Sequence, residues 1–410
     1  MEFIADTLIN AEQPLVITGY SGRNHEAVGA LVALANTVKG LRVLDTGGSD
    51  MCFPADHPAW LGLRYGIEDS IKTADVILCL DVDVPWIPTQ CKPKKDAKII
   101  HIDVDPLKQQ MPVFYIEALA RYKADAQTSL EQVTEYIAKH KSDVVSSQVF
   151  TDRWDKLKES HKSRLDLITS QAKPADDGSY ATSYLMSEVR KAVPRDTIWA
   201  VEAVTNTAFV ADQIQATIPG SWINCGGGGL GWSGGGALGI KMASDVEAGG
   251  PNKGKFVCQV VGDGTYLFSV PGSVYWIAQR YGIPVLTIVL NNKGELKWGL
   301  LSYVHRETDT TTGWNAPRKS MMLVHPDGYG SRATNEELNI SFAPTPDYPG
   351  IAKAASGGKC WTGVAGNAKE LAHLLPKAVE AVKSGSVAVL EAQLEGPEGK
   401  FGGGRAVTVG

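Results

Sequence analysis

From Pro14 to about Asp105 the chain alternates short apolar runs with segments of helical period. PLVITG, LRVLDT, DVILCLD and AKIIHID are continuous apolar runs of strand length, too short for core helices. Between the first two, His25 to Lys39 places Val28, Leu31, Val32, Leu34, Ala35 and Val38 on one helical face. Strands apolar on both faces belong to parallel sheets covered by helices on each side. From Lys123 to Ala175 the pattern turns polar, charged and helical (SLEQVTEYIAKHK, DRWDKLKESHKSRLDLITS), and it ends at the turn-forming Lys173-Pro174-Ala175-Asp176-Asp177-Gly178. The alternation then resumes with a helix over Ala181–Val193, strand TIWAV, a helix from about Thr207, strand SWIN and a glycine run. A helix from about Gly234 to Ala243, strand KFVCQVV, one long helix from about Thr265 to Tyr281 and strand PVLTIVLNN follow. After an irregular stretch from Lys293 to about Tyr348 come a helix over Ala368–Lys383 and strand SVAVLEA. The predicted fold class is α/β, two doubly wound domains with mainly parallel sheets, over 1–170 and 178–395. The tail 396–410 is expected to be flexible.

Composition narrows the function classes. The 410 residues, 43% hydrophobic, are ample for two or three buried cores. A net charge of −5 with both signs mixed gives no basic surface, which argues against nucleic acid or a membrane surface as partner. No apolar run approaches the roughly 18 residues a membrane-spanning helix needs, and the start MEFIADTLINAEQP is unlike a targeting peptide. The six cysteines form no C-x-x-C pair, and Cys79 and Cys258 lie inside apolar runs, so a reducing, cytoplasmic setting is expected. Glycine is in excess, with 43 residues densest between Gly226 and Gly239.

That run, CGGGGLGWSGGGALG, matches more than one motif. Gly226-x-Gly228-x-x-Gly231 lies between strand and helix as a dinucleotide fingerprint does, yet no acidic residue ends a strand about 20 positions later. Gly231-Trp232-Ser233-Gly234-Gly235 fits the nucleophile elbow G-x-S-x-G, a match that so many glycines make almost unavoidable. The more specific signal is downstream. KFVCQVV runs into Gly262-Asp263-Gly264-Thr265, and after 26 intervening residues the next strand ends in Asn291-Asn292. Two successive strands thus bring a carboxylate and a carboxamide to one carboxyl edge, an oxygen set suited to Mg²⁺, while a helix starting near Thr265 offers N–H groups to an anion. Taken singly, Asp263 would cap a helix and Asn291-Asn292 would make a turn.

GDG followed some 25–30 residues later by NN resembles the signature of the thiamine-diphosphate enzymes. The segment Val201 to Thr207 and PGSWINCGGGGLGWSGGGALG resemble the cofactor-binding half of benzoylformate decarboxylase and acetolactate synthase; DHPAWLG, SIKTADVILCLD and AKIIHIDVDP resemble their middle domain. The resemblance implies thiamine diphosphate and Mg²⁺ as cofactors, with Asp263, Asn292 and the Gly294 carbonyl as metal ligands. It implies Thr205, Asn206, Gly229, Gly262, Gly264 and Thr265 around the diphosphate. Leu230 matches the bulky apolar residue that keeps the cofactor bent. The implied function is a 2-oxo acid decarboxylase or carboligase, most like acetolactate synthase. A benzoylformate decarboxylase or benzaldehyde lyase-like enzyme and a non-catalytic cofactor-binding subunit are the alternatives.

Three departures qualify the resemblance. In the family a pyrimidine-binding domain of about 150–180 residues, carrying the glutamate that activates the aminopyrimidine, comes first; Met1 falls where the linker after it should be, so this chain alone is expected to be incomplete. The expected partners are a small 2-oxo acid and either further copies of the chain or a separate pyrimidine-domain chain. Leu80-Asp81-Val82-Asp83-Val84-Pro85-Trp86 replaces the Arg-Phe-Asp-Asp-Arg stretch of acetolactate synthases, so FAD is not expected. Asp81 to Gln90 also lacks the histidine of benzoylformate decarboxylase-like enzymes. Alternation puts His101, Asp103 and Asp105 on one strand face, as a metal cluster or as capping groups, and His305 and His325 in the irregular stretch are candidates to meet substrate.

Overall fold

The computed structural model describes residues 1–108, 116–226, 228–292, 321–322, 324–342 and 344–394. The described chain divides into two compact units, one of residues 1–170 with 215–226 and the other of residues 171–214 with those from 228 to 394.

The first unit is built on a six-stranded sheet of β1 (Pro14–Thr18), β2 (Arg42–Asp45), β3 (Trp60–Leu63), β4 (Val76–Leu80), β5 (Lys98–Asp103) and β6 (Ala120–Lys123), in the order β3-β2-β1-β4-β5-β6. Its neighbours pair in parallel. Successive side chains of a strand face opposite sides, and here each side has its own core. Val16, Val76, Leu78 and Leu80 join Leu31, Leu34 and Ile137 in one cluster, whereas Leu15, Ile17, Ile77 and Cys79 join Ile71 and Trp86 in another. Each fully buried Leu or Ile contributes roughly 1.5–3 kcal/mol, which explains why these strands carry no polar alternation. The polar segment resolves into helices Ala126–His140, Ser142–Val145 and Gln148–Gln171.

The second sheet consists of β7 (Ile198–Glu202), β8 (Trp222–Ile223), β9 (Val257–Gly262), β10 (Leu286–Asn291), β11 (Trp361–Ala365) and β12 (Ala388–Gln393), ordered β11-β12-β10-β9-β7-β8. The chain moves from β7 to β8 on one side and to β9 on the other, so the order reverses between β7 and β9. The crevice outside the carboxyl ends at such a reversal is where open α/β sheets hold ligands. Both sheets are wound with helices on their faces, the α/β arrangement expected from the apolar runs.

The long helix expected from about Thr265 to Tyr281 is two helices, Asp263–Phe268 and Pro271–Tyr281. Val270 takes a left-handed φ of +53° at the break and Pro271 opens the second helix, where its missing N–H costs nothing. The glycine-run helix spans Trp232–Glu247, starting two residues earlier than its pattern suggests. Among the described residues no helix is long and apolar enough to cross a membrane, and the six cysteines are free thiols.

Candidate functional site

Strands β7, β9 and β10 lie side by side with Glu202 opposite Val261 and Leu290 opposite Gly262, so their carboxyl ends are level. Just past β9, Asp263 is 9% exposed. Its Oδ1 accepts the Gly264 N–H at 2.7 Å, but among the described residues Oδ2 is buried without a hydrogen-bond partner. Burial pushes its pKa up to about 7; the Gly264 N–H pulls against this and the charge of Glu391 adds to it. At the end of β10, Asn291 is buried and donates through Nδ2 to Glu391 Oε1 at 2.8 Å, and Asn292 follows half-buried just past the strand. Past β7, a single turn over Val204–Asn206 carries Thr205, exposed, and Asn206, whose Oδ1 accepts from the Thr182 hydroxyl at 3.2 Å. Gly262, Gly264 and the buried Thr265 complete this edge. The helix at Asp263 has only six residues, and the Gly264 N–H is held by the Asp263 carboxylate, so its first turn is less open to an anion than expected.

The glycine run reaches the same edge through Glu202. One carboxylate oxygen accepts from Gly231 N–H at 2.7 Å and the other from Ser233 N–H at 2.9 Å. Gly231 is required: its φ is +100°, and a Cβ there would lie 2.5 Å from the Phe268 carbonyl oxygen. Gly229 is different, since a Cβ there would meet nothing within 4 Å. Between them Leu230 stands 41% exposed. This geometry disposes of two motif matches. A dinucleotide pyrophosphate would need the N–H groups that opening turn presents, and Glu202 holds two of them. A nucleophile elbow exposes its serine, whereas Ser233 is fully buried with its hydroxyl accepting from Gln259 Nε2 at 2.8 Å.

Of the residues singled out from sequence, Thr205, Asn206, Gly229, Leu230, Gly262, Asp263, Gly264, Thr265 and Asn292 therefore lie at or beside the ends of three neighbouring strands in one unit. Gly294 and His305 fall outside the described residues, as does the tail 396–410. His325 is exposed. His101, Asp103 and Asp105 lie in the first unit as a capping arrangement: Asp103 accepts from the Asp105 N–H at 2.8 Å and from Lys108 Nζ at 2.5 Å. Among the described residues no group of three or more His, Cys, Asp and Glu is placed to hold a metal.

Sequence reasoning missed the polar groups behind this edge. Gln259, buried in the middle of β9, donates to Ser233 and accepts from Thr287 Oγ1 at 2.8 Å, and Tyr275 donates to Thr287 at 3.1 Å. Among the described residues the Tyr348 hydroxyl is buried without a partner, and its pKa is raised by burial and by the charges of Asp263 and Glu391. A glutamine inside KFVCQVV and a glutamate ending TIWAVE were the available signals, each an isolated polar residue in an apolar strand.

What the edge can do follows from its donors. A buried carboxylate oxygen lacking a partner among the described residues, with a carboxamide at the end of the next strand, suits a hard divalent cation. The open space beside Gly229, and beside Gly262, where a Cβ would meet only Thr265 Oγ1 at 3.7 Å, leaves room for a bulky ligand against the backbone.

Comparisons with known proteins identify the two domains. Residues 1–133 match the thiamine pyrophosphate enzyme central domain and residues 203–392 the C-terminal TPP binding domain. The chain is 24% identical over 303 residues to human (Homo sapiens) 2-hydroxyacyl-CoA lyase 1, covering 71% of this chain and 48% of that one. It is 26% identical over 317 residues to the acetolactate synthase large subunit of Haemophilus influenzae, covering 74% and 51%. It spans about half the length of the curated relatives it matches. In fold it resembles the thiamine diphosphate-dependent 4-hydroxybenzoylformate decarboxylase of Rhodococcus jostii, with a TM-score of 0.67 at 18% identity over 97% of this chain and 64% of that one. The chain belongs to the thiamine pyrophosphate-dependent enzyme family and carries that family's central and C-terminal cofactor-binding domains.

Proposed function

We propose that this protein binds thiamine diphosphate through Mg²⁺ and takes part in decarboxylation or carboligation of a 2-oxo acid, most like acetolactate synthase. The observation that carries the reading is Asp263: a carboxylate at the carboxyl end of β9, 9% exposed, with one oxygen unpartnered. An uncompensated buried charge is unfavourable unless a cation completes it. On this reading Asp263 and Asn292 supply side-chain oxygens to Mg²⁺ and the Gly294 carbonyl supplies a third. Thr205, Asn206, Gly229, Gly262, Gly264 and Thr265 surround the diphosphate, and Leu230 gives apolar support to the body of the cofactor. Bound thiamine diphosphate supplies a carbon nucleophile for a carbonyl and a sink for the electrons of the bond that breaks. The chain's own contribution is orientation and charge balance.

Cleavage of a 2-hydroxyacyl-CoA is a second reading, supported by the match to human 2-hydroxyacyl-CoA lyase 1, which is similar in identity and extent to the acetolactate synthase match. Titration calorimetry of the full chain with thiamine diphosphate tests the shared part of both. Binding is expected with Mg²⁺ and lost in chelator; equal affinity in chelator, or full binding by Asp263→Ala, overturns it. Turnover of pyruvate against a 2-hydroxyacyl-CoA thioester, measured after a pyrimidine-domain chain is added, then separates the two substrate classes.

A further inference from the structure

Glu202 is 4% exposed and sends its carboxylate from the end of β7 into the first turn of helix Trp232–Glu247. The backbone N–H groups it accepts, from Gly231 at 2.7 Å and Ser233 at 2.9 Å, belong to the set that a helix leaves without internal partners. A carboxylate there is favoured by the helix dipole, and its bonds are of the strong charge-assisted kind. The Phe268 carbonyl lies so close to this turn that only a glycine fits at position 231. From behind, the Ser233 hydroxyl is tied to Gln259 on β9, which is tied in turn to Thr287 on β10. The chain immediately after Leu230 is thus bonded by Glu202 and Gln259 and crowded by Phe268, while the Leu230 side chain itself stands 41% exposed.

We infer that Glu202 is a positioning residue, whose two-oxygen grip on Gly231 and Ser233 fixes the direction in which Leu230 is presented to the thiamine ring system. The inference rests on the reading of Leu230 as the apolar support of the cofactor. Glu202 acts through Leu230, so its effect on the cofactor disappears when the Leu230 side chain is removed.

The test uses the full chain with Glu202→Gln, Leu230→Ala and the double substitution. Glu202→Gln keeps the shape but turns one acceptor into a donor facing an N–H. Two readouts are needed: amide hydrogen exchange at Gly231 and Ser233 without cofactor, and affinity for thiamine diphosphate with Mg²⁺ by calorimetry. Glu202→Gln should speed exchange at those two amides by about tenfold or more, the factor for losing a hydrogen bond to a charged group. It should weaken cofactor binding by about tenfold when Leu230 is present, and by less than about threefold in the Leu230→Ala background, where sites acting independently would show the full effect again. If Glu202→Gln does not fold, Glu202→Asp, which keeps the charge but shortens the reach, gives the same comparison. Unchanged exchange at both amides overturns the clamp, and equal losses of affinity in the two backgrounds overturn its action through Leu230. Absence of thiamine diphosphate binding by the unsubstituted chain overturns the functional reading and the role toward the cofactor together; faster exchange would then still support the clamp.

Discussion

Replacing Asp263 by Asn should move stability and cofactor affinity in opposite directions. In the chain without ligand, Asp263 Oδ1 holds the Gly264 N–H at 2.7 Å, Oδ2 is buried without a partner, and the carboxylate feels the like charge of Glu391, itself 4% exposed. A buried polar atom without a partner costs about 1–3 kcal/mol, and more when it is charged. Asn retains the oxygen that accepts from Gly264, removes the charge, and turns the unpartnered oxygen into an amide donor in the neighbourhood of a carboxylate. The expected gain is about 1–3 kcal/mol at pH 8 in chelator. The same change removes the anionic ligand proposed for Mg²⁺, so Mg²⁺-dependent affinity for thiamine diphosphate should fall by more than about 100-fold, beyond what loss of a supporting partner causes. Urea unfolding in chelator, followed by the fluorescence of the 10 tryptophans, measures the first effect, with separate transitions fitted for the two units. Calorimetry measures the second. A less stable Asp263→Asn chain in chelator would refute the idea of an uncompensated carboxylate; retained Mg²⁺-dependent binding would refute the metal-ligand assignment.

Four further substitutions test other parts of the structure. Asp45, 8% exposed, is pushed by burial up to about 7 against the pull of the Gly47 and Cys52 N–H groups, so the folded chain holds this proton more tightly than the unfolded one. Its contribution is complete below about pH 4 and is lost as pH rises to about 7, by up to about 4 kcal/mol; Asp45→Asn should flatten that part of the stability profile in urea melts, and an unchanged slope would count against it. Gly231→Ala combines a left-handed φ with a Cβ 2.5 Å from the Phe268 carbonyl and should cost roughly 2–4 kcal/mol, whereas Gly229→Ala, with open space around it, should cost under about 1 kcal/mol; equal losses would contradict the close approach. Gln259→Leu leaves the Ser233 and Thr287 hydroxyls short of a partner and should cost roughly 1–3 kcal/mol in the same assay, with no loss expected if solvent replaces the amide.

Those strands were legible in the sequence whose two faces are both claimed by cores. In β1 and β4 every residue is buried, and no polar position interrupts the run. β6 (ARYK) and β11 (WTGVA) escaped notice because each ends its sheet and is mostly half-buried, so neither needs a continuous apolar run. β3 escaped for another reason: WLGL is fully buried but only four residues long and contains Gly62 at φ +93°. The break before Pro271 was visible as a proline, but a proline at the first position of a helix and one that ends a helix look alike until the φ of Val270 is known. At the site, GDG and NN were readable because each sits directly at a strand end. Glu202, Gln259 and Glu391 were not, because their partners are 26 to 100 residues away and only the sheet order brings them together.

Two carboxylates at the ends of neighbouring strands show how the fold separates structure from function. Glu202 and Asp263 are buried to a similar degree and lie on either side of the reversal in strand order. Glu202 has both oxygens satisfied by backbone N–H groups, so its charge is spent inside the protein and the helix it caps is closed to an outside anion. Asp263 has one oxygen satisfied and one left over. A protein optimised only for stability would gain by satisfying both or by removing the second acid. Retention of an unsatisfied carboxylate beside a fully satisfied one, at the crevice where this fold class takes its ligands, is the pattern expected if Asp263 is reserved for a cation that arrives with the cofactor.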